Sequence, residues 1–233
     1  MKVDILSLFP DYFQGPLDVS ILKKAREKGI IEVNLIDIRD FANNKHAKVD
    51  DRPYGGGPGM VLMPEPVCGA IRSVKREGSH VVYLSPQGKK LDAKKCLELA
   101  QKEHLILLCG HYEGVDERIL QTEVDEEISI GDYVLTNGCL AAIVVLDATI
   151  RFIPGVLGHE EAAAQDSFQW DSFQEGGFDA PHYTRPEVFE GLEVPEVLRS
   201  GNHAKIAQWR KEIAHEKTKR VRPDLEVIGV NNE

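Results

Sequence analysis

Three short loops carry the residues of this sequence whose types and spacing could do chemistry. They are residues 85–88 (SPQG), 109–114 (CGHYEG) and 130–138 (IGDYVLTNG), and each one follows a short apolar run. In open α/β sheets, ligands bind in the crevice beyond the carboxyl ends of the strands. Three such loops in succession therefore predict one ligand pocket. His111 and Glu113 could serve there as an acid and a base, or they could be purely structural hydrogen-bonding groups.

A fourth glycine-rich segment, residues 54–59 (YGGGPG), lies upstream of these loops. Glycine lets the main chain approach a ligand closely, and it also suits a tight turn that binds nothing. The segment matches neither the dinucleotide fingerprint GxGxxG nor the phosphate-binding P-loop. It therefore gives no support for a dinucleotide or a triphosphate ligand.

Two further features lie downstream of the loops. Arg151 ends an apolar stretch, residues 140–150, that has the length of a buried core helix and is too short to cross a membrane. An Asp-Ser-Phe-Gln unit then occurs twice, at residues 166–169 and 171–174. An arginine at a helix end often serves only the helix dipole, and an Asp before Ser-Phe often serves only as a cap. From the residues alone, both readings stay open beside a catalytic one.

The elements that must position these loops alternate along the first two-thirds of the chain. Apolar runs rich in Val, Ile and Leu predict strands at residues 3–8, 31–38, 81–84, 105–109 and 127–130, and helical spacing predicts helices at residues 19–28, 64–76 and 92–102. Continuous apolar strands suit a parallel sheet that is buried on both faces. The alternation predicts an α/β fold with helices on both sides of a mostly parallel sheet.

The last third of the chain has a different pattern. Residues 154–186 have no sustained period and are typical of a long linker, whereas residues 202–219 predict one amphipathic helix with Ile206, Trp209 and Ile213 on a single stripe. The segment from Arg199 to Arg222 is strongly basic although the whole chain has a net charge of −10. Such a run is typical either of a solvated helix or of a phosphate-binding surface.

Composition limits the remaining possibilities. With 42% apolar and 28% charged residues, the chain is expected to be an ordinary globular protein. Its N-terminus has no pattern of a secretory signal, so we expect a cytoplasmic protein with no membrane partner. The four cysteines (Cys68, Cys96, Cys109 and Cys139) form no C-x-x-C pair, which favours buried thiols over a disulfide or a zinc site.

At the three loops and beyond, the sequence resembles the bacterial tRNA (guanine-N1)-methyltransferases, the TrmD family of trefoil-knotted SPOUT methyltransferases. The resemblance covers nearly the whole chain. Its motifs, in the order of the family, are SLFP (residues 7–10), VDDRPYGGGPGM (49–60), YLSPQG (83–88), CGHYEG (109–114), IGDYVL (130–135), RFIPGVLG (151–158), PHYTRP (181–186) and SGNHA (200–204). The resemblance implies a trefoil knot at the C-terminal end of the sheet domain (residues 1–158), an interdomain linker (159–180) and a small helical tRNA-binding domain (181–233).

The resemblance also implies a cofactor, a substrate and a site. S-adenosylmethionine is expected to bind in the knot, and the substrate is N1 of guanosine 37 in a tRNA that carries guanosine at positions 36 and 37. The enzymes of this family are homodimers, and no metal site is expected. The implied cofactor-binding residues are Tyr83, Leu84, Ser85, Pro86, Gln87, Gly88, Gly110, Tyr112, Glu113, Ile130, Gly131, Asp132, Tyr133, Val134, Leu135 and Gly138. The implied catalytic residues are Arg151, which stabilises the base at O6, and an aspartate of the linker as general base.

The sequence departs from the family pattern in places that bear on the site. Asn137 and Cys139 replace a usual Gly and Glu. Counting forward from residue 158 assigns the general base to Asp166, whereas counting back from residue 181 assigns it to Asp171, and we favour Asp166. Two alternative functions remain on the same scaffold: a catalytically impaired RNA-binding protein, and a methyltransferase for another RNA.

Overall fold

The structure is a computed structural model that describes residues 1–43, 45–158, 167–168, 170–171, 174–175 and 177–225. The chain divides into two compact units, Met1–Gly158 and His159–Glu233. Within these described ranges, no helix is both long enough and apolar enough to cross a bilayer. Asp166, the favoured general base, lies outside the described residues.

The first unit is built on a five-stranded sheet. Its strands and two short outlying strands are β1 (Lys2–Ser7), β2 (Glu32–Asp37), β3 (Asp50–Asp51), β4 (Val61–Leu62), β5 (Ser79–Lys90), β6 (His104–Cys109) and β7 (Glu126–Ser129). Its helices are α1 (Gln14–Leu17), α2 (Ser20–Glu27), α3 (Pro64–Val74), α4 (Ala93–Ala100), α5 (Glu117–Glu123) and α6 (Cys139–Ile150). The sheet order is β2-β1-β6-β5-β7, and every pairing in it is parallel. The prediction of an α/β fold with a mostly parallel sheet is therefore confirmed.

Helices cover both faces of the sheet because its central strands are apolar on both faces. All six residues of β6 are buried, and successive side chains of a strand point to opposite faces. Leu105 and Leu107 accordingly join the core that contains α2, α4 and α6, while Ile106 and Leu108 join the core that contains α3 and α5. Burying each such side chain contributes roughly 1.5–3 kcal/mol.

Two details of this unit differ from the sequence prediction. The strand predicted at residues 81–84 continues to Lys90, with a register shift in which both Leu84 and Lys89 pair with Ile128. The predicted loop of residues 85–88 is thus a bulge within β5. Helix α5 was not predicted, because its seven residues are too few to establish a helical period; Asp116 caps it by accepting a hydrogen bond from the N–H of Arg118.

A buried polar network joins the strands at their amino ends, opposite the loops. The Asp4 carboxylate is fully buried and accepts hydrogen bonds from Asn34 at 2.8 Å and from Nε2 of His104 at 2.7 Å. Nδ1 of His104 is in turn 2.7 Å from the hydroxyl of Ser79. A buried carboxylate is tolerated only when it is paired. The network therefore ties β2, β1, β6 and β5 together in one register.

The second unit contains short hairpins and one long helix. Its elements are β8 (Trp170–Asp171), β9 (Gln174–Glu175), β10 (Val188–Phe189), β11 (Leu192–Glu193), α7 (Glu196–Arg199) and α8 (His203–Val221). Asn202 caps α8 by accepting a hydrogen bond from the N–H of Lys205. The predicted stripe of Ile206, Trp209 and Ile213 is partly buried, next to the buried Ala214 and Thr218.

Candidate functional site: a cavity at the carboxyl ends of three strands

A cavity of about 380 Å³ opens where β5, β6 and β7 end. Its walls come from the bulge of β5, the loop after β6 and the loop between β7 and α6. These are the three segments from which the sequence predicted a pocket. Because all five strands are parallel, their carboxyl ends meet at one edge of the sheet, and the three loops meet there too.

Direct main-chain contacts hold the loop after β6 against the loop between β7 and α6. The N–H of Gly138 donates to the carbonyl of Gly110 at 2.8 Å. A Cβ atom at Gly138 would lie 2.9 Å from the Gly110 nitrogen and 3.0 Å from the Cys109 Cα, both of them main-chain atoms that cannot swing aside. Only glycine fits at this crossing. This part of the cavity wall therefore consists of two backbones in direct contact.

Tyr83 forms the floor between the strands. Its ring is buried against Gly110, where a Cβ atom would approach the phenol oxygen to 2.7 Å. Burial, followed by the negative charge of Glu127, raises the pKa of the Tyr83 hydroxyl to about 12. The hydroxyl therefore stays protonated and serves as a fixed neutral group.

The third loop is shaped by its own hydrogen bonds. The Ser129 hydroxyl donates to the carbonyl of Gly131 at 2.9 Å, and the Tyr133 hydroxyl donates to the carbonyl of Ile130 at 3.3 Å. The Asn137 side chain accepts from the N–H of Cys139 at 2.8 Å, so it caps the first turn of α6. Asn137, which replaces a usual glycine, does not have a left-handed backbone. The hydrogen bond that its side chain accepts from Cys139 explains why an asparagine suits this position.

The second loop presents an uncharged histidine and a carboxylate. The His111 ring contacts Phe9 and Tyr112, with centroids 5.1 and 4.3 Å apart, and its Nδ1 has no hydrogen-bond partner within the part of the chain that the structure describes. Burial, followed by the positive charge of Arg39, lowers the pKa of His111. Glu113 packs against Gly59, which links the glycine-rich segment of residues 54–59 to the wall of the cavity.

The charge of the cavity wall is negative. Three carboxylates line it, from Glu113, Glu117 and Glu127, and no Lys or Arg is among its described lining residues. These carboxylates favour a ligand that carries positive charge.

Most of the predicted cofactor-binding residues line the cavity. They are Tyr83, Leu84, Ser85, Pro86, Gln87, Gly110, Tyr112, Glu113, Ile130, Gly131, Tyr133, Val134, Leu135 and Gly138. Gly88 and Asp132 do not line it: Gly88 packs on the backbone of Glu127, and the exposed Asp132 pairs with Lys90 at 2.9 Å. Lining residues that the sequence did not single out include Val115, Leu120 and Ala141, which are apolar positions without a distinguishing signal.

Arg151 lies at the other end of α6 from the cavity. The cavity reaches Gly138 and Ala141 at the first turn, whereas Arg151 follows the last residue of the helix. Twelve helical residues span about 18 Å. Arg151 is not among the residues that line the cavity of its own chain.

Of the two candidate aspartates, Asp171 lies among the described residues, and Asp166 directly precedes a described segment, residues 167–168. Asp171 is in β8, paired with Gln174 of β9. Next to Asp166, the Ser167 hydroxyl donates to the carboxylate of Asp179 and accepts from the N–H of Asp179 at 3.1 Å. The Phe168 ring then packs edge-on against Phe178, with centroids 5.6 Å apart.

A parallel α/β unit with a negatively charged cavity at its strand ends defines a binding unit for a small molecule. Comparison with known proteins identifies the unit more closely. The sequence model of the family described as tRNA (Guanine-1)-methyltransferase TrmD matches residues 1–227. The chain therefore belongs to this family.

Relatives of known name agree with this membership. A protein of Protochlamydia amoebophila named tRNA (guanine-N(1)-)-methyltransferase is 67% identical over 226 residues, which are 97% of this chain and 99% of that protein. Proteins of the same name from Chlamydia muridarum and Chlamydia pneumoniae are 60% and 58% identical over 97% of this chain. The chain spans about three fifths of the length of those two Chlamydia relatives, 62% and 61%.

Proposed function

We propose that this protein transfers a methyl group from S-adenosylmethionine to N1 of guanosine 37 in tRNAs that carry guanosine at positions 36 and 37. Membership of the methyltransferase family supports the reaction, and the names of relatives up to 67% identical support tRNA guanine N1 as the acceptor. The cavity beyond β5, β6 and β7 is the observation that carries the proposal to particular residues.

The residues of the cavity fit S-adenosylmethionine. That molecule has a positive sulfonium and a positive ammonium group and no phosphate, which matches a wall with three carboxylates and no described Lys or Arg. At Gly110 and Gly138, which have no side chains, main-chain groups line the cavity and can form hydrogen bonds with the edge of an adenine. We assign cofactor binding to the fourteen predicted residues that line the cavity, and to Gly88 as the residue that holds the bulge against β7.

The chain must supply what the cofactor does not. S-adenosylmethionine, when bound, supplies an electrophilic methyl group, so the difficulty lies in guanine N1, which carries a proton at neutral pH. We assign Asp166 to accept that proton, a contribution of roughly 10²–10⁴-fold for a general base. We assign Arg151 to the developing negative charge at O6, because a guanidinium stabilises an oxyanion and stays charged at any working pH.

The position of Arg151 supports a homodimer in which the site is shared. A side chain that follows α6 cannot act in the cavity at the start of the same helix, about 18 Å away. In a twofold dimer, α6 of one copy can run antiparallel to α6 of the other, which brings each Arg151 to the cavity of the other copy. The exposed Leu140 and Val144, four residues apart on α6, and the neighbouring apolar groove at Pro16 and Ile143 provide such a surface.

Asp166 is favoured over Asp171 by what holds its neighbours. Ser167 and Phe168 are fixed on Asp179 and Phe178, and the N–H of Phe178 donates to the hydroxyl of Thr218 on α8 at 2.8 Å. The first Asp-Ser-Phe copy is thus anchored to the long helix of the second unit. A base next to that anchor would be oriented together with the helix as it binds tRNA.

The exposed basic residues of α8 fit a tRNA surface. Five of them, here named the α8 cations, have no carboxylate within 4.0 Å among the described residues: Lys205, Arg210, Lys211, Lys219 and Arg220. Arg199 and Arg222 are different, because they form ion pairs with Glu187 and Asp224. We assign the α8 cations to phosphate contacts, since such contacts need charges that are not already neutralised.

The test is methyl transfer to defined RNA. Purified protein, labelled S-adenosylmethionine and an unmodified tRNA transcript with guanosines 36 and 37 should yield 1-methylguanosine at position 37. A transcript with guanosine 37 replaced should stay unlabelled. Binding of tRNA without any methyl transfer would indicate the catalytically impaired alternative, and label on a ribose or only on ribosomal RNA would indicate a different methyltransferase.

A further inference from the structure

Two thiols that the proposed reaction does not use meet directly behind the cavity. Cys109 is the last residue of β6 and Cys139 is the first residue of α6, and both are buried, with 2% and 1% of their surface exposed. His111 and Asn137 pair in an antiparallel backbone bridge, and the same register two residues away places Cys109 opposite Cys139. The residues beside them in sequence, Gly110 and Gly138, line the cavity and are joined by the 2.8 Å main-chain hydrogen bond.

The surroundings give the two sulfurs different reactivity. The hydrogen bond from Cys109, together with one from the Ser7 hydroxyl at 3.2 Å, lowers the pKa of Cys139 to about 7 against the opposing effect of burial. The same hydrogen bond and burial raise the pKa of Cys109 well above its usual range. Cys139 also starts a twelve-residue helix, whose N-terminal dipole favours a thiolate. Cys139 is thus the nucleophile of the pair, and Cys109 holds the proton.

We propose that Cys109 and Cys139 form a reversible disulfide that deforms the cofactor cavity and weakens S-adenosylmethionine binding. Residues directly opposite each other in an antiparallel pair have Cα atoms about 4.5–5.5 Å apart, which lies within the range that a disulfide requires. This inference rests on the proposed cofactor site. It adds a site of covalent modification to the proposed function, and the reagent that modifies this site is a hydroperoxide.

The chemistry balances with a hydroperoxide as the oxidant. The Cys139 thiolate attacks one peroxide oxygen, the O–O bond breaks, and a sulfenic acid and hydroxide form. The Cys109 sulfur then attacks the Cys139 sulfur; the S–S bond forms, the S–O bond breaks, and the hydroxide leaves as water with the Cys109 proton. The two thiols lose two electrons, and hydrogen peroxide is reduced to two water molecules.

The effect on the cavity follows from the tightness of the crossing. Forming the bond fixes the two sulfurs about 2.05 Å apart and draws the Cys139 sulfur away from the Ser7 hydroxyl. The backbones of Cys109 and Gly138 already touch and cannot approach further. The strain is therefore relieved by rotation of the adjacent Gly110 and Gly138, which are cavity walls.

The experiment oxidises the full-length protein with hydrogen peroxide and maps peptides without reduction. We expect a Cys109–Cys139 linked peptide that dithiothreitol removes. Cys139→Ser and Cys139→Ala should abolish it, and Cys96→Ser, which removes a buried thiol elsewhere in the core, should leave it unchanged. In Cys109→Ser, dimedone should trap a sulfenic acid on Cys139. A folded protein that gives no linked peptide overturns the proposal.

Cofactor binding is measured on the same samples by calorimetry with S-adenosylhomocysteine. Oxidation should raise the dissociation constant of S-adenosylhomocysteine for the wild type by about tenfold. It should leave that of Cys139→Ser unchanged, and this variant is the control for oxidation of other residues. By reciprocity, S-adenosylhomocysteine should then raise the midpoint of a glutathione redox titration by about 30 mV, the equivalent of a tenfold change in a two-electron couple. A disulfide that forms without either change overturns the link to the cavity. Failure of the reduced protein to bind S-adenosylhomocysteine would instead contradict the proposed cofactor, and the peptide map would still decide whether the thiols pair.

Discussion

Replacing Gly138 by alanine tests whether direct contact between two backbones shapes the cavity. Gly138 has φ −78° and ψ −3°, a conformation that alanine adopts freely, so the substitution adds a steric effect alone. The new Cβ would lie 2.9 Å from the Gly110 nitrogen, and the loops must separate by about 0.5 Å to reach an ordinary contact. Overpacking of this kind costs about 1–3 kcal/mol. We expect the free energy of unfolding to fall by that amount.

The same separation should weaken cofactor binding. We expect the dissociation constant of S-adenosylhomocysteine, measured by calorimetry, to rise by at least about tenfold, which corresponds to roughly 1.4 kcal/mol. Gly15→Ala is the matched control, because Gly15 lies in α1 with no atom within 4 Å of an added Cβ, and alanine is the better helix former. It should bind normally and unfold at the same or a slightly higher temperature. A Gly138→Ala protein with wild-type affinity and stability would refute the backbone-contact reasoning.

Four further outcomes follow from the structure. His104→Leu should lower the free energy of unfolding by about 3 kcal/mol, because it removes a partner of the buried Asp4 carboxylate; a loss under about 1 kcal/mol in urea titration would contradict this. Neutralising three α8 cations should reduce the slope of log tRNA affinity against log salt by about 0.7–0.9 for each phosphate that the protein no longer neutralises, while an unchanged slope would make them a solvated surface. Asp166→Ala should slow single-turnover methyl transfer by at least about 10²-fold with cofactor binding intact, and a larger loss in Asp171→Ala would move the base to the second copy. Arg151→Ala co-expressed with the Gly138→Ala variant should regain up to about a quarter of wild-type activity in mixed dimers, since one site in each would be complete; no regain would place Arg151 in its own cavity.

The sequence predicted the elements whose signals are local. Strands β1, β2, β6 and β7 and helix α8 follow from continuous apolar runs or a helical period, and the loops after the strands follow from glycine. The relations that depend on tertiary packing could not be predicted in this way. Cys109 and Cys139 are 30 residues apart, and Asp4 and His104 are 100 residues apart, so nothing in the sequence near either residue signals its partner.

The candidate site shows the same division. Fourteen of the residues that the family resemblance implied line one cavity, because β5, β6 and β7 are parallel and the segments that follow their buried parts lie at one edge of the sheet. The distance between that cavity and Arg151 is set by the length of α6, which the apolar stretch of residues 140–150 indicated, but the sequence did not show that the cavity lies at the start of this helix. The bulge in β5 could not be predicted from the sequence either, because only the pairing with β7 distinguishes a bulge from a loop.

The crossing of Gly110 and Gly138 also affects how this protein can change over time. At this crossing the cavity wall consists of peptide groups, which a substitution cannot remove. A substitution that alters this part of the wall would have to replace a glycine, and any larger residue at Gly138 would push the two backbones apart. A compound that binds the peptide groups of this wall would thus meet a target that can escape it only by damaging its own site.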